Sequence, residues 1–128
     1  MLIDTHAHLT DEKFEGIADS IIQNFAQDRV EKVFCMATDK KSIEQVFELS
    51  QKYPCIYAML GIHPEDLDDW DIETKNRIIQ LASNPKVVGI GEIGLDYHYC
   101  KENKDKQIEV FVEQLKLAHE LHLPVSIH

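Results

Sequence analysis

Five short, nearly continuous apolar runs, all but the last followed by a longer segment of helical period, constrain this chain more than any other feature. The runs cover residues 2–5, 32–37, 56–60, 87–91 and 124–127. Strands this apolar on both faces belong to parallel sheets covered by helices, and the alternation is that of βαβ units. Phe14, Ile17, Ile21 and Phe25 share one face of a first predicted helix. Ile43, Val46, Phe47 and Ser50 repeat the pattern in a second, with Ser42 and Gln45 placed as a capping box. A shorter third carries Ile78, Ile79 and Ala82 and stops at Asn84-Pro85, because a residue before proline avoids the helical region. In the fourth, Ile108, Phe111, Val112, Leu115, Ala118 and Leu121 form a wide stripe that excludes Glu109, Glu113, Lys116 and Glu120. The polar stretches 65–71 and 97–106 follow strands, which puts them on the face where α/β folds build their sites.

Two architectures accommodate this order. One is an open doubly wound sheet; the other is the first part of an eight-stranded βα barrel, which usually needs about 250 residues. At 128 residues the chain is one domain rather than two. Its 13 Lys and Arg against 23 Asp and Glu give a net charge of −10, which excludes a generally basic nucleic-acid surface. A polyanionic substrate would have to be held by something local, such as a metal ion. No apolar run approaches the roughly 18 residues needed to cross a bilayer, and the start lacks a signal-like stretch. The expectation is a soluble, cytoplasmic protein without a membrane partner. Cys35, Cys55 and Cys100 form no C-x-x-C pair, so they read as thiols of a reducing compartment.

The chemistry lies at the strand ends. His6 and His8 are two apart in an extended segment, so they point to one side and offer two imidazoles to a divalent cation. Loop histidines are the alternative. Glu92 directly follows the fourth apolar run and His128 the fifth. A carboxylate is costly inside a sheet, but at its mouth it is a ligand whose two oxygens can bridge two ions, or else a salt-bridge partner. His6, His8, Glu92 and His128 are therefore the candidate metal ligands. Gly89, Gly91 and Gly94 match the spacing G-x-G-x-x-G, yet no helix starts among them, which argues against a dinucleotide site. They read instead as positions of close backbone packing around Glu92. Asp4 is a candidate for orienting an imidazole, and Asp96 stays undecided. His98 is expected in solvent, and His119 and His122 in structural roles.

The segments Asp4-Thr5-His6-Ala7-His8, Gly61-Ile62-His63-Pro64, Gly91-Glu92-Ile93-Gly94-Leu95-Asp96-Tyr97 and Pro124-Val125-Ser126-Ile127-His128 resemble the TatD family of metal-dependent deoxyribonucleases. The resemblance runs in order over the chain. It implies an α/β fold of the (β/α)8 TIM-barrel type, of which residues 1–128 supply about the first five strands and four helices. It also implies hydrolysis of phosphodiester bonds in DNA with two divalent cations, Mg2+, Mn2+ or Zn2+. By the same resemblance His6, His8 and Glu92 hold one ion, Glu92 is the catalytic residue bridging to the second, and His128 binds that second ion. His63 would contact a substrate phosphate; fixing the local loop is its other reading. Family members continue to a further histidine and a late aspartate, which are absent here. The implied substrate is DNA, as single strands or ends. The chain alone is expected to be weak or inactive, and to self-associate or pair with the rest of a barrel. Two other functions fit the same residues: an amidohydrolase acting on a small amide or ester, and a non-catalytic half-barrel needing complementation. Many amidohydrolases place a modified lysine where Glu92 stands, which favours the nuclease.

Overall fold

Strand order separates the two architectures. The computed structural model describes residues Met1–His128, with strands β1 (Leu2–Ala7), β2 (Val30–Met36), β3 (Ile56–Leu60), β4 (Val87–Ile93) and β5 (Val125–Ile127). They pair in parallel in the order β1-β2-β3-β4-β5. A doubly wound sheet reverses its order at a switch point, whereas a βα barrel adds each strand beside the last. This is the barrel order, and the sheet is a partial barrel. It curls so far that His6 Nδ1 on β1 lies 3.1 Å from Ser126 Oγ on β5.

The convex face is covered by α1 (Ala18–Asn24), α2 (Lys40–Lys52), α3 (Ile72–Leu81) and α4 (Lys104–Glu120). Val33, Cys35, Ala58, Leu60 and Ile90 meet Ile43 and Val46 of α2, Ile78 and Leu81 of α3, and Leu117 and Ala118 of α4 in one buried core. Alternate residues take the concave side, where Phe34 packs edge-to-face on Tyr57 with centroids 5.9 Å apart. Met1, Leu2, Ile3 and Ile127 remain exposed along the two outer strands. No helix is long and apolar enough to cross a membrane.

Three helices depart from expectation for identifiable reasons. Gly16, with φ of +76°, breaks the first predicted helix into a 3-10 turn (Glu12–Phe14) and the seven-residue α1, and Ile17 is exposed. The capping residue of α2 is Asp39, not Ser42. Asp39 Oδ1 accepts from the Ser42 N–H (2.6 Å), while the Asp39 N–H donates to Ser42 Oγ (2.9 Å). The largest change is in α4. Its buried row is Gln107, Val110, Gln114, Leu117 and Ala118, whereas Ile108 and Val112 of the expected stripe are exposed. Two glutamines displace apolar residues from the inward face because each satisfies loop backbone that would otherwise be buried unpaired.

Those two glutamines fix the mouth. Gln114 accepts from the Ile62 N–H (2.8 Å) and donates to the Ile62 carbonyl (2.9 Å), clamping the chain after β3. Gln107 accepts from the Asp96 N–H (2.8 Å) and donates to the carbonyls of Asp96 (3.0 Å) and Cys100 (2.7 Å), shaping the loop after β4.

Candidate metal centre

Glu92 stands at the middle of the mouth, and it lies within β4 rather than beyond it. Its backbone N–H donates to the Ala37 carbonyl at the end of β2 (2.9 Å). The two strands can meet there because β3 has ended and Gly61 adds no side chain: a Cβ on Gly61 would come within 2.8 Å of Ile93 Cγ2. Gly94 permits the next close approach, with φ of +152° and the His128 backbone 3.2 Å from where a Cβ would sit. The glycines thus serve close packing around Glu92. Its side chain is 7% exposed and costs no unpaired charge, because both oxygens find imidazoles.

On one side, His6 Nε2 lies 3.2 Å and His8 Nε2 3.1 Å from Glu92 Oε2, with 3.1 Å between the two nitrogens. The strand spacing puts both rings on one side, centroids 5.0 Å apart. Ligands bound to a cation at about 2.1 Å and separated by 90–109° stand about 3.0–3.4 Å apart. The His6, His8 and Glu92 donors form a triangle of that size, so this donor set fits a divalent cation. Ser126 holds the far nitrogen of His6, as ligating imidazoles require of a neighbouring group. Asp4 does something else: its carboxylate accepts from the His6 backbone N–H (3.0 Å) and touches no imidazole.

On the other side, His128 Nδ1 lies 2.8 Å from Glu92 Oε1, and its Nε2 lies 3.0 Å from Asp96 Oδ2. Asp96 was undecidable from sequence; here it is the buried carboxylate that orients His128. Its other oxygen accepts from the backbone N–H groups of His98 and Tyr99, both at 2.8 Å. His63 joins this side, with Nε2 3.2 Å from His128 Nδ1, and His63, Glu92 and His128 form a second group able to hold an ion. His63 Nδ1 accepts from the Glu65 N–H (3.1 Å), so the neutral ring carries its proton on Nε2 and aims that N–H into the mouth. His98, His119 and His122 are exposed and outside both groups.

The electrostatics favour ligand-competent forms for most of these groups. A hydrogen bond from His8, joined by His128 and the charge of His6, outweighs burial and holds the Glu92 carboxyl at about 2. The Tyr99 N–H, with His128 and the His98 N–H, keeps Asp96 below the usual carboxylate range against the effect of burial. Burial, reinforced by neighbouring His128, lowers His63 and keeps it neutral. His128 behaves oppositely. Burial disfavours its charged form, but Glu92 and Asp96 flank both nitrogens and raise it, so an ion would have to displace a proton there.

Sequence reasoning passed over Ser126, Gln107 and Gln114. The signal for the glutamines was available: 107, 110, 114 and 117 make an i, i+3, i+7, i+10 row, and polar residues in such a row mark buried amides with backbone partners.

The profile of TatD-related DNases matches residues 3–128. Over 128 residues the chain is 41% identical to the uncharacterized metal-dependent hydrolase YabD of Bacillus subtilis, covering 100% of this chain and 50% of that protein. It is 33% identical to the 3'-5' ssDNA/RNA exonuclease TatD of Escherichia fergusonii, covering 99% of this chain and 49% of the relative. The crystal structure of YJJV, a TatD homolog from Escherichia coli K12, superposes with a TM-score of 0.89 at 35% identity, over 99% of this chain and 50% of that one. The chain spans about half the length of the curated relatives it matches. With the family profile matching nearly the whole chain and the partial barrel superposing on a TatD homolog, the chain belongs to the TatD-related DNase family.

Proposed function

We propose that this chain is the N-terminal part of a metal-dependent phosphodiesterase barrel acting on single-stranded DNA or strand ends. The observation that carries the reading is the sharing of Glu92: one carboxylate presents Oε2 to two imidazoles and Oε1 to a third. Such a group can serve two cations at once, and paired cations stabilise both the attacking and the leaving oxygen of a displaced phosphoryl group. His6, His8 and Glu92 would hold one ion, and Glu92 and His128 the other. Ser126 and Asp96 fix the rings of His6 and His128, which leaves Nε2 and Nδ1 respectively free to bind. His63 suits a different task. Its Nε2–H is a buried donor at the rim of the centre, and a phosphate oxygen is the partner that such a donor would find. The name of the Escherichia fergusonii relative, an exonuclease on single-stranded DNA and RNA, supports this substrate class.

The test is hydrolysis of end-labelled single-stranded DNA by the chain with Mn2+ or Mg2+, alongside small amide and ester substrates. Slow, metal-dependent cleavage of DNA that Glu92→Gln abolishes is the expected outcome. Turnover of the amides alone would overturn the reading in favour of an amidohydrolase. A barrel completed by another segment should cleave faster than the chain by itself, because the two outer strands stay exposed here.

A further inference from the structure

The loop between β4 and α4 presents side chains that the metal centre does not use. Tyr97 is 42% exposed and Tyr99 76% exposed. A tyrosine ring carries 150–250 Å² of largely apolar surface, and two held in water within three residues are unusual without a use. They are not on a slack segment. The backbone N–H groups of His98 and Tyr99 are both bound to Asp96 Oδ1, and Gln107 clamps Asp96 and Cys100 from behind. Asp96 is the carboxylate that orients His128, so one residue fixes both the aromatic loop and a candidate ligand of the centre. Three residues span at most about 11 Å, so Tyr99 stands no further than that from Asp96, Cα to Cα.

Charge identifies the class of ligand. The chain as a whole carries −10, yet Lys104 places its ammonium 4.8 Å from the Tyr97 ring centroid, and Lys101 lies on the same loop. Lys106 is engaged by Asp68 at 2.6 Å. The acids Glu102 and Asp105 interleave with these lysines, so the loop is no general polyanion trap. With Lys104 over one face of the Tyr97 ring, the other face and the exposed Tyr99 ring match a nucleotide: a base stacks on the aromatic surface, and its phosphate meets the ammonium. We propose that Tyr97 and Tyr99, with Lys104, form a stacking platform for unpaired bases of a single strand next to the metal centre. This rests on the phosphodiesterase reading and names how that substrate is gripped. Double-stranded DNA, whose bases are already stacked, would gain nothing from the platform.

The test is equilibrium binding, read by fluorescence anisotropy of a labelled oligothymidylate with the full chain in EDTA at low salt, so that no turnover is needed. Tyr97→Leu and Tyr99→Leu should each weaken binding by about five- to a hundredfold, and Tyr→Phe at either position should match wild type, since the ring and not the hydroxyl stacks. A strand of equal length and charge made of abasic units should bind wild type as weakly as oligothymidylate binds the double leucine variant. Equal affinity of wild type for the abasic and base-bearing strands would overturn the proposal. So would leucine variants that bind like wild type, or no saturable binding of oligothymidylate. Circular dichroism checks the fold of each variant, and the abasic comparison needs no variant at all. The two readings fail separately: base-dependent binding together with turnover of amides alone sinks the phosphodiesterase, whereas cleavage with KM unmoved by Tyr99→Leu sinks the platform.

Discussion

The two oxygens of Glu92 are served by different kinds of structure. Oε2 faces His6 and His8, two residues apart at the end of one strand, with side chains 39% and 34% exposed. Oε1 faces His128 directly after β5, itself backed by Asp96 after β4 and met by His63 after β3. The first arrangement requires little beyond the two-residue period of an extended chain. The second exists only when three strand ends and two loops are in register. It depends on α4, whose glutamines clamp both loops from outside the sheet. A local half and an assembled half thus meet on one carboxylate, and they should respond differently to damage.

Removing the shared group is the largest perturbation, because it strikes both halves at once. Glu92→Ala deletes the anionic donor common to the two groups, and loss of even an outer partner typically costs ten- to a hundredfold in affinity. Mn2+ binding measured by calorimetry should therefore fall by more than about a hundredfold, with no residual tight ion. An ion still bound at wild-type strength would mean that His6 and His8 hold it without the carboxylate, and the sharing would be refuted.

Next comes an attack on the assembled half alone. Gln114→Ala strands the Ile62 N–H and carbonyl, which are buried, and each unpaired group costs about 1–3 kcal/mol. Urea unfolding should show a loss of about 3 kcal/mol, and the signals of His63 and His128 should shift while those of His6 and His8 stay put. If all four histidines move together, the division is wrong. Asp96→Asn is milder. It keeps the shape but removes the charge behind His128, and should weaken ion binding on the Oε1 side about tenfold while leaving the melting temperature within a few degrees.

The same division explains what could be read without a structure. His6 and His8 are legible because strand period alone aligns them, and Glu92 and His128 because each directly follows an apolar run. Barrel order is not legible from the runs themselves, since consecutive and switched orders share one alternation; the resemblance supplied it. Asp96 stayed open because its role depends on a loop turning back so that one oxygen meets His98 and Tyr99 and the other His128. Gln114 sits in a readable helical row, but its partner lies 52 residues away, and helical periodicity rewards apolar residues on the inward face. That preference moved the expected stripe of α4 one row around, onto Ile108 and Val112. Where burial is decided by backbone needing partners rather than by apolar area, pattern reading misplaces the face.

Ser126 provides the smallest and most discriminating perturbation, because it is where the local half touches the rest of the barrel. Its hydroxyl on β5 meets His6 Nδ1 on β1 at 3.1 Å, and the residue packs tightly enough that a Cβ on Gly91 would come within 2.8 Å of Ser126 Cβ. Ser126→Ala removes only the hydroxyl: the strand keeps its pairing and the cavity created is that of one oxygen. If strand geometry alone directs the two imidazoles, Mn2+ affinity should not change. If the far nitrogen must be held, the His6 ring gains rotational freedom, and affinity on the Oε2 side should fall by about three- to tenfold, at the low end for outer partners of ligating histidines. The second outcome is the expected one, since His6 is 39% exposed and no other side chain grips its Nδ1. Imidazole nitrogen shifts of His6 would report the lost contact directly, with His128 as the internal control. A fall in affinity together with a shift at His128 would show that β1 and β5 transmit strain across the mouth, and that even the half built from one strand depends on how the barrel closes.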